Sequence, residues 1–155
     1  MSGSTSKERP PRSTVDTNLF VSGLISRGAP KQLLDGWDRG DFLLVLSKSM
    51  AAEVRDVVRR PRIRDKYQLT DAQIERLEQG IDRLAEVLIE LQPLPAGLLV
   101  RDPKDIHVLQ TALTGQVDYL ITGDGDLLDL DGHELLGELR IVTVNDFLKV
   151  LGSDR

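Results

Sequence analysis

The chain contains no cysteine. That absence excludes disulfides, thiolate metal ligands and thiol nucleophiles together. Aromatic residues make up only 4% of the 155 residues, too few for an open platform on which nucleic-acid bases would stack. An excess of positive charge is also missing: 20 Lys and Arg stand against 25 Asp and Glu, a formal net charge of −5. A simple binder that attracts phosphates through a general basic surface is therefore not expected. An enzyme that loads divalent cations onto its acids is still allowed, because bound cations reverse the local sign. Long apolar runs are absent, and the N-terminus lacks the basic-then-apolar order of an export signal. The expected location is therefore cytoplasmic, without a membrane.

What remains is ordinary for a globular chain, with 40% hydrophobic and 29% charged residues. One domain is expected at this length. Residues 1–12 are polar and carry prolines, which suits a disordered N-terminal tail, leaving 13–152 as the domain.

Punctuation and periodicity divide the domain into alternating strands and helices. A short strand ends at Val15, and Asn18 is placed to cap the apolar helix Leu19 to Ile25. Lys31 to Arg39 reads as a second helix with Trp37 in the core, closed by Gly40. Phe42 to Leu46 suits a buried parallel strand, and Ser47 or Ser49 caps a third helix that runs to about Arg60 before Pro61 interrupts it. Thr70 with Gln73 forms a capping box. Behind it Ile74, Leu77, Ile81, Leu84, Leu88 and Leu91 recur at helical spacing, predicting one long helix.

Leu98 to Val100 is a candidate strand, Asp102-Pro103 opens a helix to about Thr114, and Tyr119 to Thr122 is a strand. A last strand, Ile141 to Thr143, precedes a last helix, Asn145 to Leu151. The alternation predicts an α/β fold, a central parallel sheet of four to five strands covered on both faces.

Sites in such sheets lie beyond the carboxyl ends of the strands. Asp16 follows the first strand directly. Asp124 and Asp126 follow another, in Thr122-Gly-Asp-Gly-Asp126. Glu53 shares a helix face with Met50 and Val57, and Asp105 shares one with Val108, Leu109 and Ala112. Helices normally turn acids away from the apolar stripe, so these two point toward the core end of the sheet.

Crowded carboxylates raise one another's pKa unless cations compensate. An oxygen-only ligand set suits Mg2+ or Mn2+, one ion or two. Two ions roughly 3.5–4 Å apart activate a water and stabilise the leaving oxygen in phosphodiester cleavage.

Blander roles compete for several residues. Asp102 suits a helix cap better than a ligand, Asp129 and Asp131 suit exposed loop positions, and His107 and His133 suit the surface. Thr17 and Thr122 are either supporting hydroxyls or plain strand-end residues, and Asn18 is a supporting residue or only a cap. Arg59, Arg60, Arg62, Arg64 and Lys66 form a basic stretch, either a solvated loop or a contact for RNA or an acidic partner.

Four segments together resemble the PIN domain family. They are Val15-Asp-Thr-Asn-Leu-Phe-Val-Ser22, Glu53 on the third helix, Arg101-Asp-Pro-Lys-Asp105, and Asp118-Tyr-Leu-Ile-Thr-Gly-Asp-Gly-Asp-Leu-Leu128. The likeness is nearest to bacterial PIN-domain toxins of toxin–antitoxin pairs. It departs from the family in a short, polar first strand and a longer tail.

The resemblance implies a three-layer α/β/α sandwich and a Mg2+- or Mn2+-dependent endoribonuclease. Its acids would be Asp16, Glu53, Asp105 and Asp124, with Asp126 in support. It also implies an RNA substrate, an antitoxin partner and a homodimer. The alternatives are a non-catalytic module of the same fold acting through protein partners, and a phosphoryl-transfer domain with Asp16 as acceptor. The latter lacks a paired acid beside Asp16 and a suitable lysine after a late strand.

Overall fold

The computed structural model describes residues 9–153, so most of the expected tail lies outside the described residues. Arg12, grouped with that tail by composition, is the first residue of β1, Arg12–Val15. Then follow α1 (Asn18–Ile25), α2 (Ala29–Arg39), β2 (Leu43–Ser47), α3 (Lys48–Arg59), α4 (Pro61–Tyr67) and α5 (Asp71–Leu84). After β3 (Ala85–Leu88), a 3-10 turn at Pro103–Asp105 leads into α6 (Ile106–Thr114). The chain ends through β4 (Tyr119–Ile121), the short α7 (Gly125–Leu128), β5 (Arg140–Val142) and α8 (Val144–Ser153).

The five strands form one sheet in the order β3-β2-β1-β4-β5, and every pairing is parallel. Helices cover the sheet to give three layers. Burial follows from that arrangement: β2 reads Leu-Leu-Val-Leu-Ser, and its last four residues are buried. Phe147 of α8 anchors one part of the core with edge-on contacts to Phe42 and Tyr119, and Phe20 meets Trp37 in the same manner.

Local signals explain the helix starts. The Ser47 hydroxyl accepts from the Met50 backbone N–H at 3.1 Å, capping α3. Thr70 and Gln73 complete the capping box of α5, each bonded to the other's backbone N–H. Gly40 closes α2 at φ 83°, a left-handed position that suits glycine.

Three expectations fail. The long helical period of Ile74 to Leu91 breaks at Leu84, and Ala85–Leu88 is a strand paired with β2 from Leu44↔Ala85 to Ser47↔Leu88. Without it, β2 would present an unpaired edge; the ladder outweighs helix propensity, which is weak at the end of a helix. Leu98 to Val100 is irregular rather than a strand. Asn18 is the first residue of α1, not its cap, and Thr17 at the cap position makes no capping hydrogen bond.

Candidate metal centre

Strand order places the site. The chain runs outward from β1 through β2 to β3, then returns to β4 on the other side of β1. The carboxyl ends of β1 and β4 therefore flank the point where the winding reverses, which is where open α/β sheets leave a crevice. Register does the rest. Val15 pairs with Ile121, and the Asp16 N–H donates to the Ile121 carbonyl at 2.9 Å, so Asp16 and Thr122 emerge side by side.

The Thr122 hydroxyl, fully buried, donates to Asp16 Oδ2 at 2.8 Å and accepts from the Asp124 N–H at 3.0 Å. Asp124 Oδ1 in turn accepts from the Asp126 N–H at 2.8 Å, which starts α7. A chain of short bonds thus fixes one acid after β1 and one after β4. Glu53, on α3, is exposed as a residue, but its Oε1 accepts the buried Thr17 hydroxyl at 2.7 Å. Thr17 and Thr122 are the groups that orient Glu53 and Asp16. Asn18 contributes its backbone N–H to the Asp16 carboxylate.

Asp105 is only 6% exposed, and its Oδ2 accepts no hydrogen bond from an N–H or a hydroxyl. Buried carboxylate oxygen without such a donor is costly, and the usual remedies are protonation or a cation. Asp105 shows the first pressure: its carboxyl is pushed up to about 6, chiefly by burial, then by the charge of Asp124 and a proton-sharing contact with the Asp124 carboxyl, and further by the charges of Asp102 and Asp16. Asp16 is also raised, first by burial and further by Asp124 and Glu53, although the bonds from Thr122 and Asn18 pull it back. Asp16 feels the charges of Asp124 and Glu53, and Asp105 those of Asp124 and Asp16, but Asp16 and Glu53 stand outside the three acids whose oxygens group most tightly.

Asp102, Asp105 and Asp124 offer carboxylate oxygens that all lie within 4.8 Å of one another. The donors are hard oxygens, Asp105 is buried between half-buried Asp102 and Asp124, and one Asp105 oxygen accepts no N–H or hydroxyl. That combination fits a divalent cation.

Other candidates fall elsewhere. Asp126 contributes its backbone N–H, while its side chain points to Arg101 at 3.5 Å and is outside the three-acid group. The basic stretch is not a free cationic surface. Its second half is helix α4 rather than a loop, Arg59 pairs with Glu78, Arg60 with Asp56, and Arg64 with Asp71. Arg62 and Lys66 stay exposed, with Lys66 over the Tyr67 ring.

Asp131 is no plain loop acid: it accepts from Arg140 and from the Ile141 N–H at 2.9 Å, and these bonds hold its carboxyl below the usual range. His133 caps the 3-10 turn Glu134–Leu136. The sequence pointed to Asp102 only as a cap, and that role is real, because its Oδ1 accepts the Lys104 N–H at 3.0 Å. Its place among the acids was missed. The available signal was the spacing of Asp102 and Asp105 on a turn that opens with proline.

The sequence profile of a family described as PIN domain matches residues 12–126. That span contains Asp16, Glu53, Asp102, Asp105, Asp124 and Asp126 and stops short of β5. A comparison with curated proteins gave no match.

Proposed function

Because this chain belongs to the PIN domain family, a family of nuclease fold, we propose that its acidic cluster is the metal centre of an endoribonuclease. The observation that carries the reading is the buried Asp105 Oδ2, which accepts no N–H or hydroxyl and whose carboxyl is pushed upward among the charges of Asp124, Asp102 and Asp16. A site that keeps such a carboxylate at this expense is arranged for a cation rather than for stability.

Asp16, Glu53, Asp105 and Asp124 are the residues proposed to hold Mg2+ or Mn2+. When bound, such a cation supplies Lewis acidity toward a phosphodiester and lowers the pKa of water. The chain's own residues do the positioning. Thr122 fixes Asp16 relative to Asp124, Thr17 fixes Glu53, and burial of Asp105 keeps the local dielectric low, strengthening attraction for a cation. Arg101 and Lys104 are exposed on the same loop as Asp102 and Asp105, where positive charge would meet substrate phosphates approaching an otherwise acidic face.

The resemblance to bacterial toxins supports RNA as substrate, an antitoxin on a separate chain as partner, a homodimer and a cytoplasmic setting. Among the described residues no helix is long and apolar enough to cross a membrane.

The test is cleavage of single-stranded RNA by the full chain with Mn2+ or Mg2+, wild type against Asp16→Asn and Asp124→Asn. Cleavage should require the metal and fall at least a hundredfold in either variant. Cleavage in EDTA, or unimpaired variants, would sink the proposal. A wild-type chain that binds no Mn2+ in calorimetry would favour the non-catalytic module.

A further inference from the structure

Asp102 and Asp105 bracket a single 3-10 turn. Asp102 precedes the turn in an extended conformation and Asp105 ends it, and the tight turn between them leaves their carboxylate oxygens within 4.8 Å of each other and of Asp124.

Capping does not use up Asp102. Its Oδ1 accepts one N–H, whereas an ionised carboxylate has two oxygens and about four acceptor sites. Glu53 and Asp124 likewise accept one hydrogen bond each, from the Thr17 hydroxyl and the Asp126 N–H, while Asp16 takes two, from the Thr122 hydroxyl and the Asn18 N–H. Open acceptor capacity is greatest at Asp105, whose buried Oδ2 accepts no N–H or hydroxyl, and extends to the oxygens beside it. Around an ion with contacts of about 2.1 Å, ligand oxygens sit roughly 3.0 Å apart when adjacent and roughly 4.2 Å apart when opposed, so oxygens within 4.8 Å of one another reach those spacings by side-chain movements of about 2 Å or less.

We propose that Asp102 is a metal ligand as well as a cap, and that Asp102, Asp105 and Asp124 form a divalent-cation subsite distinct from the Asp16 and Glu53 side of the cluster. This rests on reading the cluster as a metal centre. It adds a ligand that the four-acid set does not contain. It also ties cation occupancy to the turn that starts α6, because the same side chain serves both.

The experiment separates the two roles of Asp102. Asn and Ser cap as well as Asp does. Asp102→Asn and Asp102→Ser therefore keep the turn and remove the ligand charge. Full-length wild type, both variants and Asp105→Asn are stripped with EDTA, melted, and titrated with Mn2+ by calorimetry.

The expected result is a metal-free melting temperature at or above wild type for both Asp102 variants. Mn2+ affinity should fall at least tenfold, with a matching loss of the Mn2+-induced rise in melting temperature. Affinity within twofold of wild type in the Asp102 variants, with affinity lost in Asp105→Asn, would leave Asp102 a cap only. The nuclease reading would then stand and this inference would not. Metal-free melting lowered in both Asp102 variants would make the carboxylate a structural group and also overturn the inference. A wild-type chain that binds no Mn2+ would remove both readings.

Discussion

The Thr122 hydroxyl lies 2.8 Å from Asp16 Oδ2, joining residues 106 positions apart in sequence across the β1–β4 pairing. The same oxygen receives the Asp124 N–H, so one fully buried hydroxyl positions acids from two strands.

Thr122→Val keeps the shape and removes both bonds. The Asp124 N–H loses its acceptor, and Asp16 loses the strongest interaction opposing its raised pKa. Metal-free stability should fall by about 1–3 kcal/mol in urea unfolding, as for other buried groups left unpaired. Mn2+ affinity should fall as well, and Thr122→Ser should restore it. Unchanged affinity in the valine variant would show that Asp16 needs no orienting hydroxyl.

The acids predict an unusual pH response. Burial and neighbouring charges push the Asp105 carboxyl from its ordinary value of 3.8 up to about 6 in the folded chain, so between those pH values the folded state binds more protons than the unfolded state. Stability of the metal-free protein should therefore decline as pH rises from about 4 to about 6 and level off above. Asp16, also raised, acts in the same direction. Mn2+ binding should run oppositely, strengthening through pH 6, since the cation competes with protons. Melting in EDTA and calorimetry from pH 5 to pH 8 check both slopes, and parallel slopes would contradict the account.

Asp105→Asn should raise metal-free stability at pH 7.5 and abolish the stabilising effect of Mn2+. The substitution removes a buried charge surrounded by Asp124, Asp102 and Asp16 while keeping the volume. A destabilised variant in EDTA would mean that the Asp105 charge supports the fold, contrary to the geometry.

Gly23→Ala tests the packing of α1 on α2. A methyl group there would lie 2.9 Å from the Pro30 carbonyl oxygen and 2.4 Å from Leu34 Cδ1. Leu34 can rotate, but the backbone carbonyl cannot, so the helices must separate. The helix-propensity gain of alanine is roughly 1 kcal/mol, and overpacking costs about 1–3 kcal/mol. Net destabilisation is expected in urea unfolding.

Arg12→Ala should lower stability on the order of 1 kcal/mol and leave Mn2+ affinity unchanged. Its guanidinium reaches Glu86 of β3 at 3.0 and 3.1 Å and the Gly115 carbonyl at 2.8 Å, none of them near the acids' hydrogen bonds. A loss of affinity would connect the outer strand to the site.

Much of this molecule was legible in the chain. The capping box at Thr70, the proline after Asp102 and the glycine at position 40 act within a few residues, and each element boundary they predicted is present. Asp16 and Asp124 were recognisable because strand ends are marked by local composition. Ala85–Leu88 was hidden because its apolar residues continue the period of α5. Only the neighbouring strand β2, nearly forty residues earlier, makes it a strand. The basic stretch reads as a solvated loop or a phosphate or partner contact, and the fold pairs Arg59 with Glu78, Arg64 with Asp71 and Arg60 with Asp56 while Arg62 and Lys66 stay exposed.

The sequence by itself determined most of the helices, the strands β1, β2, β4 and β5, and where each acid sits along them, since turns, caps and periodicity are short-range effects. Tertiary structure decided which acids meet. Asp16 is a lone aspartate until parallel register sets it beside Thr122 and Asp124. Asp102 is a cap until the fold brings its carboxylate within 4.8 Å of those of Asp105 and Asp124. Burial also came only from the packed layers, and burial is the largest cause of the raised carboxyls of Asp16 and Asp105. Charge in a sequence has no dielectric around it; the fold supplies one.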